Sequence, residues 1–172
     1  MKRIAIILLS ICTLGSAFCR AESAAITHDF DKMKGTMTFL SDNKVGVTSE
    51  VTYTCMGSGV FTNVADKGVI IGIKLSNNDS VQTSPAIANL KRLQLLHNKG
   101  SVPSGVKIYT STDNSTWTDI SSSAICSKSD IDVPITKGDY YIKVVNKTGA
   151  VINFLSFSYI YDPCHCLRVV SE

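Results

Sequence analysis

"VKIYTSTDNSTWTDI", residues 106–120, reads as two β-strands joined by a polar turn. Val106, Ile108 and Thr110 alternate with Lys107, Tyr109 and Ser111, the period-two pattern of a strand that buries one face. Asp, Asn and Ser in the loop "STDNS" suit a chain reversal, because their short polar side chains bond to nearby backbone. The return strand carries Trp117, the chain's single tryptophan. Trp117 and Ile120 stand three residues apart, so an unbroken strand cannot point both inward. Either a bulge re-aims one of them or one faces out.

The same alternation spreads to both sides of the hairpin. "SEVTYTC" (49–55) sets Val51, Tyr53 and Cys55 against Thr52 and Thr54, and "KGVIIGIKLSNND" (67–79) sets Val69, Ile71, Ile73 and Leu75 on one face before a turn. "SVQTSPAI" (80–87) contains Pro85, which marks an edge strand or a strand end. "LKRLQLLHN" (90–98) places Leu93, Leu95 and His97 opposite Arg92 and Gln94. "IANLKRL" has helical spacing, but its β-rich surroundings favour a strand. "GTMTFLSDN", "AICSKSDIDVPI", "DYYIKVVN" and "AVINFLSFSYIY" complete the set, the last three divided by the turn-like "TKG" and "NKTG". In the final strand Leu155, Phe157, Tyr159 and Tyr161 share one face, and Ile152, Phe154, Ser156, Ser158 and Ile160 the other. Both faces are largely apolar, as in a central strand. At most a turn of helix is expected in "HDFDKMKG". About eight to ten short strands without βα alternation predict an all-β fold, an antiparallel β-sandwich of jelly-roll type.

Ahead of this domain, Met1-Lys2-Arg3 and the apolar run of residues 4–18 form a secretory leader, somewhat short for a membrane span. The expected division is a signal peptide over residues 1–21 and a single sandwich domain over residues 22–172. Cleavage after Ala17 fits the small-x-small rule better than cleavage after Ala21, whereas "SAFC" is a poor site for lipidation of Cys19. The chain is therefore expected outside the cytoplasm, secreted or at the cell surface. The 17 basic and 14 acidic residues become 14 of each once Lys2, Arg3 and Arg20 leave with the leader. A neutral domain lacks the cationic surface that nucleic acid or an anionic membrane requires.

Four cysteines remain in the mature chain: Cys55, Cys126, Cys164 and Cys166. Export permits disulfides; Cys55 and Cys126 either bridge or stay as buried thiols. The run "DPCHCL" offers two thiols and His165, but C-x-C spacing departs from that of structural zinc sites. No metal or cofactor is expected. His28 and His97 read as a terminal residue and a partly buried strand residue. The pairs Asp29/Asp31 and Asp130/Asp132 could serve a glycosidase or a calcium ion, or simply solvate a strand. No nucleophile elbow, phosphate-binding loop or zinc-protease signature is present, so a non-enzyme is expected. Asn78, Asn114 and Asn146 open glycosylation sequons in turn-like segments.

The hairpin "STDNSTWT" resembles that of galactose-binding-like sandwiches, the discoidin and carbohydrate-binding-module type, over roughly residues 45–162 of this chain. Asn114 stands where that pattern has glycine, a departure Asn tolerates because it too adopts the left-handed conformation. The resemblance implies a bacterial secreted module that binds polysaccharide or glycan without catalysis. In hairpins of this type the tryptophan commonly packs inward; presented outward it would be a ring on which a sugar stacks. The candidate carbohydrate-binding residues are Trp117, Tyr109, Tyr159 and Tyr161. The rival expectation is a structural or adhesive module that meets another surface protein, marked by an apolar patch or an open sheet edge.

Overall fold

The computed structural model describes residues 23–32, 37–41, 44–47, 51–64 and 69–162. Residues 1–22, where a leader is expected, and Cys164, His165 and Cys166 lie outside the described residues. Thirteen strands appear: β1 (Ala24–Asp29), β2 (Met37–Ser41), β3 (Lys44–Val47), β4 (Val51–Met56), β5 (Val60–Val64), β6 (Val69–Leu75), β7 (Ser80–Ser84), β8 (Ile87–His97), β9 (Val106–Ser111), β10 (Thr118–Asp119), β11 (Ile125–Cys126), β12 (Asp130–Asn146) and β13 (Ile152–Tyr161). Among the described residues a 3-10 turn spans Ser121–Ser123. Every pairing is antiparallel, and the expected antiparallel β-sandwich is present. The strand number exceeds expectation partly because β10 and β11 are two residues each.

Strand β12 ties the two sheets together. Its first half pairs with β8 and β11, beside β13, β6, β5 and β1. Its second half pairs with β7 and β9, beside β4, β3, β2 and β10. The "TKG" segment is therefore not the turn expected from sequence. It is a bulge in β12, with register shifts on either side of Gly138 while the strand still pairs with β8 through Tyr140, and the passage to the second sheet follows at Tyr141. A Cβ at Gly138 would stand 2.8 Å from the Tyr140 ring, so the bulge closes around a residue without a side chain. Pro85 fits the strand-end reading: β7 stops at Ser84, and β7 itself lies between β4 and β12.

The inner faces meet in an aromatic cluster. Tyr53 of β4 packs against Phe30 and Phe157 with ring centroids 5.5 and 5.3 Å apart. Leu93, Leu95, Ile108, Ile142 and Val144 extend the core on both sides, each contributing about 1.5–3 kcal/mol by leaving water. Within this apolar layer, His28 Nδ1 bonds Tyr53 Oη, and Tyr53 Oη bonds Tyr159 Oη at 2.9 Å. This chain of polar groups links β1 and β13 of one sheet to β4 of the other.

Strand β13 departs from strict alternation. Ile152, Phe154 and Ser156 are buried, and then Phe157 and Tyr159 are buried too. A register shift against β8 between Phe154 and Ser156 moves the buried face by one residue. The two apolar faces expected from sequence are thus successive halves of one buried face. The strand is central, as expected, with β8 on one side and β6 followed by β1 on the other.

At one end of the sandwich Asp79 clamps two turns. Its carboxylate accepts from Ser58 N, Ser58 Oγ and Ser76 N, each at 2.8 Å. A Cβ at Gly57, whose φ is +86°, would stand 2.3 Å from Asp79 Oδ1, so the clamp requires glycine there. Burial pushes the Asp79 carboxyl upward, but the donors from Ser58 and Ser76 outweigh it and hold it below its ordinary value.

The expected thiol chemistry is resolved for two residues. Cys55 and Cys126 are free thiols rather than a bridge, Cys55 buried within β4 of one sheet and Cys126 half-buried on β11 of the other. Of the three sequon asparagines, Asn78 and Asn114 are exposed in turns, but Asn146 is not. It is fully buried at the end of β12, where its Nδ2 donates to the carbonyls of Leu75 and Ala150.

Candidate functional site

The outer face of the second sheet is built by simple alternation. On β12, Ile142 and Val144 are buried, so Tyr141, Lys143 and Val145 project the other way. On β9, Val106, Ile108 and Thr110 are buried, which turns Lys107 and Tyr109 outward. Cross-strand register then aligns Thr54 of β4, Gln82 of β7, Lys143 of β12, Tyr109 of β9 and Asp119 of β10 in one row. Adjacent rows hold Tyr141 opposite Ser111, and Val145 opposite Lys107. Five strands at about 4.8 Å spacing make this row about 19 Å long.

The hairpin loop folds onto this face. Asp113 Oδ1 accepts from Thr116 N at 2.8 Å, Ser115 N at 2.9 Å and Ser111 Oγ at 2.9 Å. These backbone donors, Thr116 first, hold the Asp113 carboxyl well below the usual carboxylate range. Asn114 has φ +61°, the left-handed conformation its substitution for glycine requires, and its Oδ1 accepts from Gln82 Nε2. Trp117 is half-buried, and the Lys143 ammonium lies 3.8 Å from its ring centroid.

The Trp117–Ile120 conflict resolves in favour of Ile120. Ile120 packs against the core, whereas Trp117 stands outside it. Register gives the reason. Asp119 pairs with outward Tyr109 and Thr118 with inward Thr110, so the position before Thr118 falls on the outer side, where Lys143 waits. Trp117 and Tyr109 therefore share one face.

The other two candidates lie elsewhere. Tyr159 is 0% exposed, enclosed by His28, Tyr53 and its own sheet, and cannot touch a ligand on the folded surface. Its assignment as a contact residue is corrected: the bulge in β13 carries it inward. Tyr161 is half-buried at the end of β13, paired with Ala24 and Leu90 in the first sheet, and is not brought to the Trp117 face. Tyr140 packs against the core.

Lys143 and Gln82 were not singled out by the sequence. The alternation Ile142-Lys143-Val144 does place the lysine opposite an apolar face, but its neighbours on β7 and β9 are not local in the chain.

At the β9–β10 border of the face lies a cleft of ≈ 560 Å³, lined among others by Pro103, Lys107, Asp119, Ser121 and Cys126. Lys107 Nζ meets Asp119 Oδ2 at 3.4 Å. Asp119 also accepts from Ser121 Oγ and Ser121 N, and these bonds hold its carboxyl below its ordinary value. Among the described residues no group of three or more His, Cys, Asp or Glu is arranged to hold a metal ion. No described helix is long and apolar enough to cross a membrane. His28 and His97 are buried away from this face, His28 in the inter-sheet network and His97 at the end of β8. What the face offers is three aromatic side chains (Trp117, Tyr109 and Tyr141), the amides of Gln82 and Asn114, and the ammonium groups of Lys107 and Lys143.

No protein-family model matches the sequence, and no curated protein matches it. Among solved structures the chain is similar to CBM32-1 from a family 31 glycoside hydrolase of Clostridium perfringens. The identity is 15% and the TM-score 0.40, with 82% of this chain and 94% of that chain covered. The likeness is too distant to carry any residue from one chain to the other.

Proposed function

We propose that this chain is a secreted, non-catalytic carbohydrate-binding β-sandwich of the galactose-binding-like kind. It holds a glycan on the outer face of the second sheet, with Trp117 and Tyr109 as the contact rings. The carrying observation is the position of Trp117. The single tryptophan is left out of a core with ample apolar material and is held over a sheet face by a loop clamped at Asp113. Aromatic rings pack against the C–H faces of pyranoses, and the amides of Gln82 and Asn114 suit hydroxyl groups at the rim. Tyr141 extends the ring surface by one row.

The test is affinity electrophoresis of the mature domain through gels containing plant, algal and host polysaccharides. Trp117→Ala and Tyr109→Ala are run beside Tyr161→Ala, with circular dichroism confirming that each variant folds. Retardation of the wild type that is lost in folded Trp117→Ala or Tyr109→Ala, and kept in Tyr161→Ala, supports the reading. Absence of retardation by every polymer, or loss in Tyr161→Ala alone, refutes it.

A second reading, a structural or adhesive module meeting another surface protein, is favoured by exposed apolar side chains on the other sheet. Ile125 is 66% exposed and Leu96 40%, on strands that flank β12. Failure of glycan binding together with self-association or protein capture that is abolished by Ile125→Ser would favour it.

A further inference from the structure

Lys143 is an unusual cation. Its stem rises between Gln82 and Tyr109, its ammonium sits on the Trp117 ring, and no carboxylate answers it among the described residues. The four ion pairs found there belong to Lys32, Arg92, Lys107 and Lys137. The two acids flanking the face are already occupied: Asp119 by Ser121 and Lys107, Asp113 by Ser111, Ser115 and Thr116. Burial alone acts on the Lys143 ammonium and lowers its pKa. A neighbouring carboxylate would raise it.

We infer that Lys143, poised on Trp117, is the anion subsite of the proposed glycan surface, and that the ligand carries carboxylates: a polysaccharide containing uronic acid. The inference rests on the carbohydrate-binding reading and names the ligand class that the same face would select. A π-face compensates a half-buried ammonium only in part. An arriving carboxylate supplies the charge-assisted hydrogen bond that the ring cannot. Gln82, on the other side of the lysine, and Asn114, bonded to it, are neutral and supply no counter-charge. Ring packing on Tyr109 and Trp117 then sets the sugar plane, and the lysine selects its charge.

The experiment compares polygalacturonate with its carboxyl-reduced form, which keeps the backbone and loses the charge. Wild type, Lys143→Gln and Lys143→Arg are run at low and high salt, after circular dichroism and melting confirm that the variants fold. The expected result has three parts. Wild type prefers polygalacturonate, and salt erodes the preference. Lys143→Gln weakens binding to the acidic polymer by roughly tenfold to a hundredfold, as loss of a bond to a charged group implies. Lys143→Arg, which keeps the charge and also stacks on an aromatic face, retains the preference. Equal binding of both polymers by wild type, or an unchanged preference in Lys143→Gln, overturns the anion subsite and leaves the carbohydrate reading standing. Binding to neither polymer overturns the inference as well; whether other glycans in the broader panel bind then decides the carbohydrate reading separately.

Discussion

Replacing His28 by glutamine should flatten the acid side of the stability profile. The imidazole is 1% exposed, boxed in by Tyr53 and Tyr159, with Nδ1 bonded to Tyr53 Oη and Nε2 without a partner among the described residues. Both neighbouring phenols are fully buried and pushed above their ordinary values, so they stay neutral and offer a charged imidazolium no counter-charge. Burial lowers the His28 pKa from 6.5 to about 4. The unfolded chain therefore binds a proton in this interval and the folded chain does not, so stability falls as pH falls. The interval from 6.5 to about 4, at about 1.4 kcal/mol per pH unit, corresponds to roughly 3 kcal/mol of stability present above the interval and lost below it. Urea unfolding of wild type and His28→Gln at several pH values across the window gives the difference directly. Carboxylates and His97 are common to both proteins and cancel in the subtraction. Glutamine keeps a polar group for Tyr53 but does not titrate. The expected outcome is a wild-type slope steeper than the variant's by about 1 kcal/mol per pH unit near the middle of the window. Parallel slopes would refute the claim that the folded state keeps this histidine neutral.

Three further outcomes are expected. Tyr159→Phe removes one end of the Tyr53–Tyr159 hydrogen bond and should cost about 1 kcal/mol in urea unfolding, while affinity gels show unchanged glycan binding; a binding defect in the folded variant would contradict its place in the core. Asp79→Ala leaves the Ser58 and Ser76 backbone donors without their acceptor and should lower stability by about 1–3 kcal/mol for each donor left buried, measured by thermal melting, whereas a neutral result would mean that water replaces the clamp. Cys55, buried and with its thiol pushed up to about 12, should resist iodoacetamide in the native protein. Half-buried Cys126, also raised by burial, should react first, and peptide mass spectrometry after timed quenching distinguishes the order.

The core was more legible in the chain than the site. Val51, Tyr53 and Cys55, or Leu93, Leu95 and His97, are buried as their alternation foretells, because a strand's two faces are set by a period that adjacent residues already contain. The same logic exposed a contradiction at Trp117 and Ile120 without resolving it. Strand β13 misled for a related reason. Its residues are apolar on both sides, so nothing local marks the bulge that turns Phe157 and Tyr159 inward and makes Tyr159 a core residue. The "TKG" segment was misread because Thr, Lys and Gly suit a turn as well as a bulge in a continuing strand.

By itself, then, the sequence determined the all-β class, the hairpin and its Asx chemistry, and the dilemma at the tryptophan. The tertiary structure decided which side Trp117 takes, that Tyr109 joins it while Tyr159 and Tyr161 do not, and that Lys143 rests on the Trp117 ring with no carboxylate partner among the described residues. The physical reason is range. Side-chain alternation is a property of neighbouring residues, whereas the row Thr54, Gln82, Lys143, Tyr109 and Asp119 exists through hydrogen bonds between strands far apart in the chain. A shift of one residue in any of those ladders would send its side chain to the opposite face.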